Sequence, residues 1–232
     1  MNGNTTALLL NILIIAVIFI LNYFYQKNKF AFSLKCVCSS AFALLGVINL
    51  GFAIALKQEN MQFYVMMATA LVLAMLGDVF IGKSFPLGAG LFALGHVCFM
   101  IAYFFLQGFS LREVWISALI FAASAAFLIF APCIKYSSEG FRWICVAYAF
   151  IISLMLGKAL SNLSFEPSGV NILIATGSFL FFFSDLMLVL DWFVRKWKWT
   201  ANACMGTYYP ALCLLALAMY LGICAKKNME SA

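Results

Sequence analysis

Leu73-Ala74-Met75-Leu76-Gly77-Asp78-Val79-Phe80-Ile81 places one carboxylate inside an apolar run, 61–82, that is long enough to cross a bilayer. Phe181-Phe182-Phe183-Ser184-Asp185-Leu186-Met187-Leu188-Val189 repeats the pattern later in the chain. An ionised Asp at the centre of a membrane helix costs at least about 3 kcal/mol. Acids kept at that cost mark functional sites, so two of them, on helices that could face one another, form the first hypothesis.

The rest of the composition agrees with a membrane setting. Of 232 residues, 66% are hydrophobic and 9% charged, and the mean hydropathy is +1.05. This lies outside the usage of soluble domains. No polar segment is long enough to fold separately, so residues 1–232 read as a single transmembrane domain. The first apolar run lacks the basic leader and small-residue cleavage site of a signal peptide and reads as a span. The eight cysteines sit within apolar runs without a Cys-x-x-Cys spacing and read as small apolar filler. A net charge of +6, scattered singly or in small groups, fits loop topology and not nucleic-acid binding.

Eight runs satisfy the length requirement, at 7–25, 31–56, 61–82, 87–107, 113–134, 141–162, 170–193 and 203–225. Turn residues such as Lys83-Ser84-Phe85-Pro86 and Glu166-Pro167-Ser168-Gly169 punctuate them. The fold class is therefore all-α, a polytopic up-and-down bundle of eight transmembrane helices with short loops. Loops after helices one, three, five and seven carry Lys27, Lys29, Lys83, Lys135, Arg142, Arg195, Lys196 and Lys198; the other side carries Lys57, Arg112, Lys226 and Lys227. Eight against four puts the first set in the cytoplasm and both termini outside. Trp192, Trp197 and Trp199, interleaved with basic residues, read as an interfacial anchor, and Asp191 reads as a surface partner of Arg195.

At 1.5 Å per residue, Asp78 lies about 6 Å and Asp185 about 12 Å inside the cytoplasmic boundary. Lys35, Tyr148, His96 and Tyr208 fall in the same slab or near the midplane, from four further helices. A polar cavity open to the cytoplasm is the economical inference. Blander roles compete with it. Asp78 could cap its helix or pair with Lys83, His96 could be a packing group, and Lys35 could snorkel to the headgroups, as Lys158 is expected to do.

Several chemistries are excluded. One histidine with isolated cysteines does not make a zinc hydrolase. No Gly-x-Ser-x-Gly elbow, phosphate-cradling glycine loop or dinucleotide fingerprint is present. A two-carboxylate site survives.

At these residues the chain resembles the YhhN-type lysoplasmalogenase family of eight-helix membrane proteins. The likeness rests on Lys35 opening helix two, on Leu76-Gly77-Asp78 with Gly90 and Gly95-His96, on Gly177 through Ser184-Asp185, and on Thr207-Tyr208-Tyr209. The chain departs from the pattern at Phe99, where an aromatic hydroxyl is common, in lacking a proline after Lys35, and at Leu212 and Cys213, where a glutamine is expected. These departures bear on substrate preference. The resemblance implies hydrolysis of the vinyl ether bond of a lysoplasmalogen, giving a fatty aldehyde and glycerophosphocholine or glycerophosphoethanolamine. It implies a multi-pass protein, expected in a bacterial cytoplasmic membrane, whose partners are the lysophospholipid substrate and membrane lipid. Asp185 and Asp78 would be the acid and the base, Lys35 would meet the lipid phosphate, and Tyr208, Tyr148 and His96 would orient water or headgroup. No metal or organic cofactor is required. The rival readings are a proton-coupled transporter and a non-catalytic lipid-binding protein. No helix looks broken at its middle by Gly or Pro, which disfavours the transporter.

Overall fold

The computed structural model describes residues 3–27, 32–194 and 199–230. Lys29, Arg195, Lys196, Lys198 and Trp197 lie outside the described residues, as do the side chains of Lys226 and Lys227. Eight helices form among the described residues: α1 (Gly3–Lys27), α2 (Phe32–Ala55), α3 (Met61–Ile81), α4 (Phe85–Leu106), α5 (Leu111–Phe130), α6 (Glu139–Phe165), α7 (Gly169–Phe193) and α8 (Thr200–Glu230). All eight are long and apolar enough to span a membrane. The protein is thus all-α and multi-pass.

Two helix ends differ from expectation for stereochemical reasons. α4 begins at Phe85 because Pro86 falls in its first turn, where a missing N–H costs nothing. α5 stops at Phe130 and not near 134, because Pro132 disfavours helical geometry at Ala131, which is extended at φ −68°, ψ 116°. α8 is helical through Pro210, a proline that the expectation of uninterrupted helices overlooked.

Six helices close a ring in the order α2, α3, α4, α6, α7, α8, with α8 returning to α2. α1 lies outside against α2 and α8, and α5 lies outside against α6 alone. The simple up-and-down order therefore fails at α4 and α5, which are joined by four residues yet do not pack together. The extended backbone at Gln107 and Ser110 carries the chain away from α4. α6 takes the vacated face, with Asn162 donating to the Tyr103 carbonyl at 2.9 Å.

Apolar surface gives little drive for association in lipid, so close approach and buried polar bonds select the contacts. Asn49 bonds Asn11 of α1 and the Ala216 carbonyl of α8 at 2.8–3.0 Å. Gly157 lets α6 touch α5, since a Cβ there would lie 2.0 Å from Ser117 Oγ. Gly77 does the same for α3 and α4, where a Cβ would fall 2.9 Å from the Phe92 ring.

Candidate active site

The predicted polar residues divide into two clusters with an aromatic partition between them. In the first, Lys35 and Ser39 lie four residues apart on one face of α2 and both reach Asp78 on α3. Lys35 Nζ sits 2.9 Å from Asp78 Oδ1. Ser39 Oγ and the Tyr209 hydroxyl, the latter at 3.2 Å, donate to Oδ2. Asp78 is 2% exposed. An ammonium and two hydroxyls therefore meet the whole carboxylate in a dry setting, as a buried charge requires. Asp78 neither caps α3 nor pairs with Lys83, whose ammonium lies over the Phe32 and Phe80 rings.

The second cluster joins α4, α6 and α7. The Tyr148 hydroxyl donates to Asp185 Oδ2 at 2.6 Å. His96 Nε2 lies 3.1 Å from the same oxygen and 2.8 Å from the Tyr148 oxygen. Tyr148 spends its one proton on Asp185, so a proton on Nε2 completes the triangle. His96 Nδ1 faces Met155 Sδ at 3.3 Å, and the Phe181 ring packs edge-on at 4.5 Å.

Tyr208 lies between the clusters. Its hydroxyl donates to the Ala74 carbonyl at 3.0 Å, and its ring contacts Phe42, Phe92, Phe181 and Tyr209. α3 and α7 do not pack on each other; α8 contacts both. The two acid-bearing helices thus face α8 instead of one another, and the carboxylates share no hydrogen-bond partner among those described.

The model of the YhhN family matches residues 30–219. The chain belongs to the YhhN family. The match takes in both clusters, from Lys35 to Tyr209, and leaves out the whole of α1. Comparisons with curated proteins and with solved structures find no match.

In this YhhN protein the acids differ in access. Asp185 and Tyr148 line two narrow clefts, one of about 40 Å³ between α5, α6 and α7 and one of about 20 Å³ between α4, α6 and α7. The other lining residues are chiefly apolar, among them Leu128, Ile152, Leu186 and Val189 in the first and Phe92, Ile144 and Leu188 in the second. At the nearby bundle end Phe85 packs against Phe141, Trp192 and Phe193. The expected polar cavity open at that end is instead a pair of greasy clefts between helices beneath an aromatic cover. Trp192 belongs to that cover, and Asp191 accepts from Thr200 Oγ1 at 3.0 Å.

Ser39 and Met155, not singled out by sequence, complete the clusters together with Tyr209, which the sequence marks only as part of the Thr207-Tyr208-Tyr209 segment. Ser39 carried a signal, standing one helical turn beyond Lys35. Lys158 does not snorkel. It is 1% exposed and bonds Glu113, a residue the sequence reading passed over.

Proposed function

We propose that this YhhN protein is a membrane lysoplasmalogenase, cleaving the vinyl ether of a single-chain glycerophospholipid to a fatty aldehyde and a glycerophospho-alcohol. The observation that carries the reading is Asp185, hydrogen-bonded by Tyr148 and His96 where two apolar clefts meet. A vinyl ether is inert to nucleophiles and yields to protonation of its outer alkenyl carbon. Its cleavage therefore needs a carboxylic acid placed beside an alkyl chain.

Asp185 delivers that proton, and the alkenyl carbon bonded to oxygen becomes an oxocarbenium centre. Water adds there and passes its proton to Asp78, giving a hemiacetal. Asp78 returns that proton to the glycerol oxygen as the carbon–oxygen bond breaks, while Asp185 takes the hemiacetal hydroxyl proton, releasing aldehyde and alcohol. One water is consumed and the acid is restored. Charge balance orders the roles. Asp78 faces an ammonium and serves as the anion and base; Asp185, whose hydrogen-bond partners among the described residues are a phenol and an imidazole, serves as the proton donor. Lys35 takes the phosphate, Tyr148 and His96 hold Asp185, and the tail leaves through the clefts. A substrate that reaches both clusters must turn the Tyr208 ring aside. Glycosidases divide two carboxylates in a comparable way around an oxocarbenium ion. The chain works as one domain in a bacterial cytoplasmic membrane, with the ends after α1, α3, α5 and α7 in the cytoplasm.

Purified protein given a lysoplasmalogen should release aldehyde, while the saturated alkyl-ether analogue stays intact. Asp185→Asn should lower the rate by about 10²–10⁴-fold with the protein still folded, as expected for a lost general acid. Failure to release aldehyde, or full activity in both Asp185→Asn and Asp78→Asn, would refute the mechanism.

A further inference from the structure

At the opposite end of α6 a second polar pair sits against a cavity. Lys158 Nζ lies 2.7 Å from Glu113 Oε2 and donates to the Gly108 carbonyl at 2.6 Å. Its remaining face covers the Phe104 ring, 4.2 Å from the centroid. The three ammonium protons are thus engaged. Glu113 is 5% exposed, and its Oε1 is buried with no hydrogen-bond partner. Both residues line a cavity of about 380 Å³, walled by Met100, Phe104, Phe121, Phe150 and Leu154. That volume is in the range of small-molecule sites, about 300–1,000 Å³.

We propose that this cavity binds a neutral single-chain lipid with a hydroxyl head, whose O–H donates to Glu113 Oε1. The unmet valence is an acceptor, which asks for a donor. An aldehyde, ester or ether head has none. A cationic head meets Lys158 and an anionic head meets Glu113, while the pair itself is neutral. Depth agrees. Glu113 is two residues into α5, about 3 Å from the helix end, and Trp115 beside it is 76% exposed, as interfacial tryptophans are. A lipid hydroxyl lies at that level. The chain has a way in because α5 packs on α6 alone, leaving its seam with α4 unfilled. None of these residues touches either carboxylate cluster; Tyr148 and Lys158 are about 15 Å apart along α6. The proposal is independent of the hydrolase reading.

The test uses the full chain in phosphatidylcholine nanodiscs and a hexadecanol carrying a mid-chain diazirine. Photolabelling should fall on the cavity walls. Unlabelled hexadecanol should compete at least about tenfold better than hexadecyl methyl ether, which lacks the proton. Ala118→Trp, which fills the cavity from α5 without touching the ion pair, should remove the labelling. Glu113→Leu/Lys158→Met replaces the pair by apolar groups and avoids a stranded charge. It should bring alcohol and ether to equal potency. Equal competition in the unaltered protein, labelling that survives Ala118→Trp, or an alcohol preference that survives the double variant would each overturn the proposal.

Discussion

Removing the Lys35 ammonium should destabilise the protein more than removing the Asp78 charge, and removing both should cost no more than removing Lys35 alone. The Lys35 side chain is 12% exposed and that of Asp78 is 3%, so water screens the pair little. Lys35→Met strands a carboxylate that keeps only Ser39 and Tyr209, and breaking a buried pair this way costs about 3–5 kcal/mol. Asp78→Asn is milder. Its amide oxygen still accepts from both hydroxyls, and Lys35, three residues into α2, can turn its ammonium to the headgroups. The lost charge-assisted bonds amount to about 1–3 kcal/mol. The double variant strands no charge, so the two losses should fall short of additivity by about 2 kcal/mol. Equilibrium unfolding in mixed micelles with rising dodecyl sulfate measures all three variants against the unaltered protein. Additivity within about 0.5 kcal/mol would show that the two groups do not form one electrostatic unit.

Two further outcomes follow from single contacts. Tyr148→Phe removes the 2.6 Å bond to Asp185, and should slow aldehyde release by about tenfold for each 1.4 kcal/mol of lost positioning. Unchanged kinetics would free Tyr148 from that role. Gly157→Ala drives a methyl into Ser117 and should lower stability by about 1–3 kcal/mol by overpacking; adding Ser117→Gly should recover only part of the loss in the same micelle titration, because the backbone Cα of residue 117 would still lie 2.9 Å from the new methyl.

The spans were legible because apolar runs of about 20 residues alternate with turn residues, and lipid imposes that length whatever the packing. The order of helices around the ring was not. These helices are apolar on nearly every side, so polarity does not say which face meets protein and which meets lipid. What selects the faces is local and small: Gly157 against Ser117, Gly77 against Phe92, Asn49 between α1 and α8. The same limit hid the partition of the site. Depth along each helix brought Lys35, Asp78, His96, Tyr148, Asp185 and Tyr208 to one slab, but depth carries no azimuth. Packing alone sets the aromatic layer of Phe42, Phe92, Phe181 and Tyr208, from α2, α4, α7 and α8, between the carboxylates. Glu113 escaped because a carboxylate in a first helical turn is ordinary. Lys158 misled because its distance from a helix end suits snorkelling; α6 in fact runs on to Phe165, and its partner comes from another helix.

The two lysine–carboxylate pairs bear on how such a chain should be read. A buried ion pair is poor evidence of stabilisation, since apolar side chains of similar volume do as well or better in its place. In a bundle already this apolar, substituting such a pair is chemically simple, and its presence at two levels asks for another cause. At Asp78 the cause is visible in the surroundings. Both oxygens are met by donors, and the site stands one aromatic layer from a second acid that lines two narrow apolar clefts. At Glu113 one oxygen is left unfilled beside a cavity. The first arrangement holds a carboxylate in place with donors on both oxygens; the second leaves an acceptor unmet. The difference between a completed and an incomplete hydrogen-bond shell, more than burial or charge, therefore distinguishes the two pairs.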